Sequence, residues 1–166
     1  MGFGIIFGLV ILIIIVLAVV IVNSNKKNKK KQFVQTLTDL AEKSNCKISE
    51  YDLWNNTLIG IDKDARKLFF IRKNEANAIS NVIDLQGIQK CWAINSSRVV
   101  TNNDSNHTVT DKIELALTSP DAKIADTNLE FYNTNRDNLF LNGEIQLAEK
   151  WAAIVNTNIA GITQRK

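Results

Sequence analysis

The chain has 166 residues, a formal net charge of +3, 45% hydrophobic residues, two cysteines and one histidine. Two cysteines are too few for a disulfide framework, and with one histidine they cannot supply a spaced zinc site. The surplus positive charge is local: without the five lysines before Gln32, fifteen basic residues face seventeen acidic ones, which argues against a nucleic-acid-binding domain.

Phe3 to Val22 carries no charged or polar side chain and no proline, with Phe3, Ile6, Leu9, Leu12, Ile15, Val19 and Val22 along its length. At 1.5 Å per residue such a helix spans roughly 30 Å, the thickness of a bilayer's hydrocarbon core. The run predicts a retained single-pass transmembrane anchor over residues 1–22. A cleaved signal peptide would need basic residues ahead of a shorter run and small residues at its end, and Ala18-Val19-Val20-Ile21-Val22 is bulky there. Gly4 and Gly8 form a Gly-x-x-x-Gly pair compatible with homo-association of such helices.

Residues 23–31 form a basic linker with Lys26, Lys27, Lys29, Lys30 and Lys31 and no acid. Lysines beside a span stay on the cytoplasmic side, so the expectation is a cell-membrane protein with its N-terminus outside and its C-terminal domain in the cytoplasm. The same lysines can meet anionic headgroups of the lipid bilayer. Residues 32–45 read as an amphipathic helix, with Phe33, Leu37, Leu40 and Ala41 on one stripe and Asn45 as its stop.

From Cys46 the period becomes alternating. Ile48, Tyr51 and Leu53 lead to the Asn55-Asn56 turn, and TLIGID and KLFFIR flank KDAR as an antiparallel hairpin. Ile79–Leu85 follows, then a long run Ile88–Val100, and the polar TNNDSNH of Thr101–His107 reads as a loop. Val109–Thr118 places Ile113, Leu115 and Leu117 on one face and Lys112, Glu114 and Ala116 on the other, and Thr127–Tyr132 is the last strand. Asn142 is the expected N-cap of a closing helix to Asn158, with Ile145, Ala148, Trp151, Ala152 and Val155 as its stripe and 159–166 as a frayed tail.

The expected fold class is α+β: a transmembrane helix, then seven antiparallel strands in a sandwich or barrel over residues 46–158, capped by a C-terminal helix. The hairpin TLIGIDKDARKLFFIR, the segment VIDLQGIQKC, the strands DKIELAL and NLEFY and the helix GEIQLAEKWAAIV resemble the pleckstrin-homology-like superfold. The chain as a whole resembles uncharacterised bacterial proteins with one N-terminal span, a lysine cluster and such a domain. The helix over 32–44 is an addition to the usual superfold pattern. That family implies no known reaction, ligand or catalytic residue.

No catalytic, cofactor-binding or metal-ligating residue is assigned. His107 falls in the polar loop, Cys91 reads as a packed thiol, and Asp62-Lys63-Asp64 lacks the glycine and closing Glu of a calcium loop. The glycines form no phosphate-binding pattern. Superfold members that bind phosphoinositides use basic residues in the first hairpin loop, so the resemblance makes Lys63, Arg66 and Lys67 a weak ligand hairpin. Trp151 is expected in the core and Trp54 is the candidate exposed aromatic.

The leading functional expectation is a membrane-tethered, non-enzymatic binding or scaffolding domain that recruits a protein partner or a lipid headgroup. The alternatives are a small membrane-bound enzyme with dispersed residues and an accessory subunit of an envelope complex.

Overall fold

The computed structural model describes residues 27–73, 77–102, 105–121, 125–137 and 140–163. These fall in two compact units, one ending at Asn45 and one beginning at Cys46. In the first, residues 27–42 form helix α1, whose buried positions Phe33, Leu37 and Ala41 recur at i, i+4 and i+8 along one face. Its end is closed by the Ser44 and Asn45 amides donating to the Ala41 and Glu42 carbonyls. Asn45 has φ 53°, the left-handed conformation that ends helices and that asparagine tolerates.

The expected fold class is corrected in its membrane part. Among the described residues no helix is long and apolar enough to cross a membrane. The reason is chemical: α1 opens on Lys27, Lys29, Lys30 and Lys31 and carries Asp39 and Glu42, and the C-terminal helix carries Glu144, Glu149 and Lys150. Among the described residues the architecture is an α+β arrangement of seven antiparallel strands in two sheets with two helices, which corrects the membrane-protein, transmembrane-helix and single-pass descriptions. The anchor residues Phe3, Ile6, Leu9, Leu12, Ile15, Val19 and Val22, the pair Gly4 and Gly8, and Lys26 lie outside the described residues.

In the second unit, β1 (Glu50–Trp54), β2 (Thr57–Asp62), β3 (Lys67–Lys73) and β4 (Ala78–Asp84) form one sheet in that order. A single 3-10 turn, Leu85–Gly87, leads to the second sheet of β5 (Lys90–Asn102), β6 (Ser105–Thr118) and β7 (Thr127–Asn133). Helix α2 (Glu144–Thr163) follows, continuing through residues expected to fray. Among the described residues no strand ladder joins the two sheets, so they form a sandwich and no closed barrel.

The core lies between the sheets and α2. From the first sheet it takes Ile59, Ile61, Leu68 and Phe70, and from the second Ile113, Leu115, Leu117, Leu129 and Phe131. Register explains the selection: Ile59 pairs with Phe70 and Ile61 with Leu68, so one pleat face carries all four. Trp151 of α2 is fully buried among them, and its Nε1 donates to Asp52 Oδ2 at 2.8 Å. A bulge in β7 leaves Phe131 without a partner on β6, because Glu114 pairs with Glu130 and Ile113 with Tyr132. That extra residue lets consecutive Phe131 and Tyr132 both be buried, which strict alternation would forbid.

The polar loop expected over Thr101–His107 is also corrected. β5 runs to Asn102 and β6 begins at Ser105, so most of that segment is strand, with Val100 opposite His107 and Thr101 opposite Asn106. Thr101 Oγ1 and Asn106 Oδ1 are hydrogen-bonded at 2.8 Å across the pair. Composition signals a loop here because the residues are polar, but a ribbon exposed on both faces requires no apolar alternation.

Candidate functional site

The expected ligand hairpin does not converge on one point. Lys63 Nζ is paired to Glu50 Oε2 at 3.0 Å, and Arg66 Nη2 donates to the Gly161 carbonyl at 3.3 Å. Lys67 is paired through its backbone with Asp84 on β3's other side. The turn is organised by Asp62, whose Oδ1 accepts from the Asp64 and Ala65 amides and whose Oδ2 accepts from the Lys47 amide. Burial alone would raise its carboxyl. The hydrogen bonds from Ala65, Lys47, Asp64 and the Cys46 side chain outweigh that and hold it below its ordinary value. Its oxygens serve the backbone, as a hairpin turn requires.

Of the lysine cluster, Lys27, Lys29, Lys30 and Lys31 are exposed on the first turns of α1. Trp54 is half-buried: its ring stacks on Phe131 with centroids 4.5 Å apart, and its Nε1 donates to the Phe131 carbonyl at 3.0 Å. Trp54 therefore joins β1 to β7 across the sandwich.

A cleft of about 200 Å³ opens between the β4 side of the first sheet and the β7 side of the second. Phe70 and Leu129 supply its buried apolar bottom, and Ile79, 47% exposed, stands at its mouth. Pairing sets these positions, since Ile79 lies opposite Arg72 and Asn81 opposite Phe70. On the other side Asn128 and Glu130 of β7 face Ala116 and Glu114 of β6.

Arg72 shares pleat parity with Leu68 and Phe70, so it continues the core row of β3 toward the second sheet. It is 4% exposed, and its guanidinium donates to the Glu130 carbonyl and to Asp137 Oδ2, each at 2.7 Å. Asp137 Oδ2 also accepts from the Asn133 amide at 2.8 Å. Glu130 draws Arg72 at 3.4 Å, Arg136 at 3.3 Å and Lys112 at 3.8 Å, while Asn133 Nδ2 donates to it at 2.7 Å. Lys112 pairs more closely with Glu114, at 2.8 Å. Glu114 and Glu130 are cross-strand neighbours, and like charges so placed repel; the three cations offset that. Three cations and three carboxylates thus balance around the opening.

Sequence reasoning reached none of these residues as a site, and it set Glu114 on the strand face opposite Ile113, Leu115 and Leu117. The Glu114 side chain is only 12% exposed, because Lys112 and the cleft cover it. One signal was available: in LFFIR, arginine occupies the parity of Leu68 and Phe70, and a charge on a core row needs buried partners.

Among the described residues nothing points to an enzymatic activity. Among these same described residues no group of three or more His, Cys, Asp or Glu side chains is placed to share a metal ion. Cys91 is buried, and burial pushes its thiol up to about 12, so the nucleophilic thiolate is unpopulated at neutral pH. Cys91 and His107 lie at opposite ends of the β5–β6 pair. No family model, curated protein or solved structure matches this chain.

Proposed function

We propose that the unit beginning at Cys46 is a protein-binding module that takes an extended segment of a partner polypeptide along the β4–β7 opening. The observation that carries this reading is the cleft between the edges of β4 and β7, which among the described residues have no neighbouring strand on that side. An edge strand offers a row of unpaired backbone groups, and a peptide can satisfy them by adding a strand. β4 has the sequence AISNVID, without lysine or proline to block addition, and it exposes Ile79 and Val82 on opposite faces.

Size and charge narrow the ligand. Pockets for whole small molecules run from about 300 Å³ upward, so a cleft this size suits one inserted side chain. Its charges are already compensated, which disfavours a phosphate or a strongly acidic ligand and favours a neutral segment bound through its main chain. The resemblance to the pleckstrin-homology-like superfold belongs to the same proposal, since that architecture serves mainly for binding.

Selection from a library of unstructured peptides against the full chain, followed by NMR mapping, tests the reading. Selected peptides should shift the amides of Ile79, Asn81, Asn128 and Leu129, and Ile79→Lys should weaken them at least severalfold. Selection of no peptide, or shifts confined to other strands, would overturn it.

A further inference from the structure

The β5–β6 pair changes character along its length. Up to Lys112 it is a three-stranded sheet with β7, whose register ends at Lys112 opposite Asn133. Beyond that point the rows from Ser97–Thr110 to Asn102–Ser105 continue with two strands only. A register shift marks the boundary: Ser96 pairs with Lys112 and Ser97 with Thr110, which leaves Asp111 as the bulged residue. Arg98 Nε reaches back to Asp111 Oδ1 at 3.2 Å, so the one cation on this part of β5 is neutralised within its own ribbon.

The outer edge of β5 is treated differently above and below that boundary. Near its start, Asn156 of α2 caps the edge: its Oδ1 accepts from the Cys91 amide at 3.0 Å and its Nδ2 donates to the Cys91 carbonyl at 2.7 Å. An amide side chain there stands in for a neighbouring strand. From Ser97 onward β5 has no neighbouring strand on that side among the described residues, and Val99 is 64% exposed and Val100 39% exposed. Consecutive residues of a strand point to opposite faces, so the ribbon shows valine on both.

We infer that this edge is a self-association surface, on which the β5 tips of two copies of the chain pair antiparallel about a two-fold axis. The register follows from backbone geometry. In an antiparallel ladder, two residues that face each other point their N–H and C=O groups either both toward the seam or both away from it, whereas neighbours along a strand alternate, so a symmetric pairing must place the axis through a residue. Through Val99, the pairs are Val99 with Val99 and Arg98 with Val100 of the other copy; through Val100, they are Val100 with Val100 and Val99 with Thr101. In neither register does Arg98 meet its own symmetry mate. The β-branched pairs at the centre are the ones that stabilise adjacent strands, and the Asn156 cap stops pairing from spreading to the base. A second copy fits because both partners then present the same neutral, β-branched edge. The contact is small, so the dimer forms reversibly with concentration.

Two measurements on the full chain test this. Sedimentation up to roughly millimolar protein, near the weak end of specific affinity, should show a monomer–dimer equilibrium. It should be abolished by joint Val99→Lys and Val100→Lys substitution and left unchanged by Ile79→Lys, which reports on the cleft instead. In separate variants, Val99→Cys or Val100→Cys, whichever lies on the axis, should form an interchain disulfide severalfold faster than Thr108→Cys on the neighbouring strand, since directly opposite Cβ atoms come within about 5 Å. A monomer at every concentration, a dimer that survives the double lysine variant, or equal crosslinking at Thr108→Cys would each overturn the inference. Unchanged far-UV circular dichroism in the variants confirms that the fold is intact.

Discussion

The base and the tip of the β5–β6 pair share one backbone ladder and differ in almost everything else. At the base, Ile113, Leu115 and Leu117 are fully buried under α2 and beside β7. At the tip, Arg98, Val99 and Val100 are exposed, and polar side chains alternate with no buried counterpart. The β5–β6 ladder runs through both halves, so that ladder is not what distinguishes a stable strand from an available one. The third strand and the helix decide that, by removing apolar surface from water.

The sharpest way to break the comparison is at the helix that covers the base. Trp151→Ala removes a fully buried indole and its bond to Asp52, and should cost about 3–5 kcal/mol in denaturant unfolding. Arg72→Met should cost about 3 kcal/mol by the same measurement, because Asp137 and the Glu130 carbonyl lose their buried donor. If Arg72→Met were neutral, the charges around the cleft would be solvated and not structural.

Asp62 gives a pH test in the first sheet. Its folded carboxyl titrates below the ordinary 3.8, so its stabilisation is complete above that value and is lost as pH falls through the lower folded one. Wild type should lose stability more steeply than Asp62→Asn below about pH 4, and the variant should start roughly 1–3 kcal/mol less stable at neutral pH. Parallel acid profiles would show that the turn does not depend on the carboxylate.

Asn156→Ala sharpens the comparison from the other side, since it makes the base of β5 resemble the tip. A loss of about 1–2 kcal/mol is expected, with faster hydrogen exchange at the Cys91 amide and no change at Thr101. The smallest effect belongs to the tip itself: Val99→Ala in dilute protein should stay within about 0.5 kcal/mol of wild type. A larger loss there would mean that the ribbon is covered even in the monomer.

Most strands are legible in the residue pattern alone. TLIGID and KLFFIR around KDAR announce a hairpin because β-branched and aromatic residues flank a polar turn, and β2 and β3 occupy those segments. α1's stripe and the Asn45 stop are legible for the same local reason. The tip is misread because TNNDSNH has loop composition, and nothing local says that β5 and β6 pair through it. The cleft is invisible for a deeper reason. Arg72, Lys112, Glu130 and Asp137 are far apart in the chain, and only the approach of two sheets makes them neighbours.

By itself the sequence determined what most segments prefer: the periods of α1 and α2, the strand character of most of β1 to β7, the helix stop at Asn45, and the near-neutrality of the chain after the lysines. These are properties of neighbours along the backbone, set by side-chain spacing and dihedral preference. Tertiary structure alone decided which edges stay open, how six charges balance around one cleft, and where a shared ladder passes from buried to exposed. Those outcomes depend on which distant segments exclude water from one another, and no local pattern encodes that.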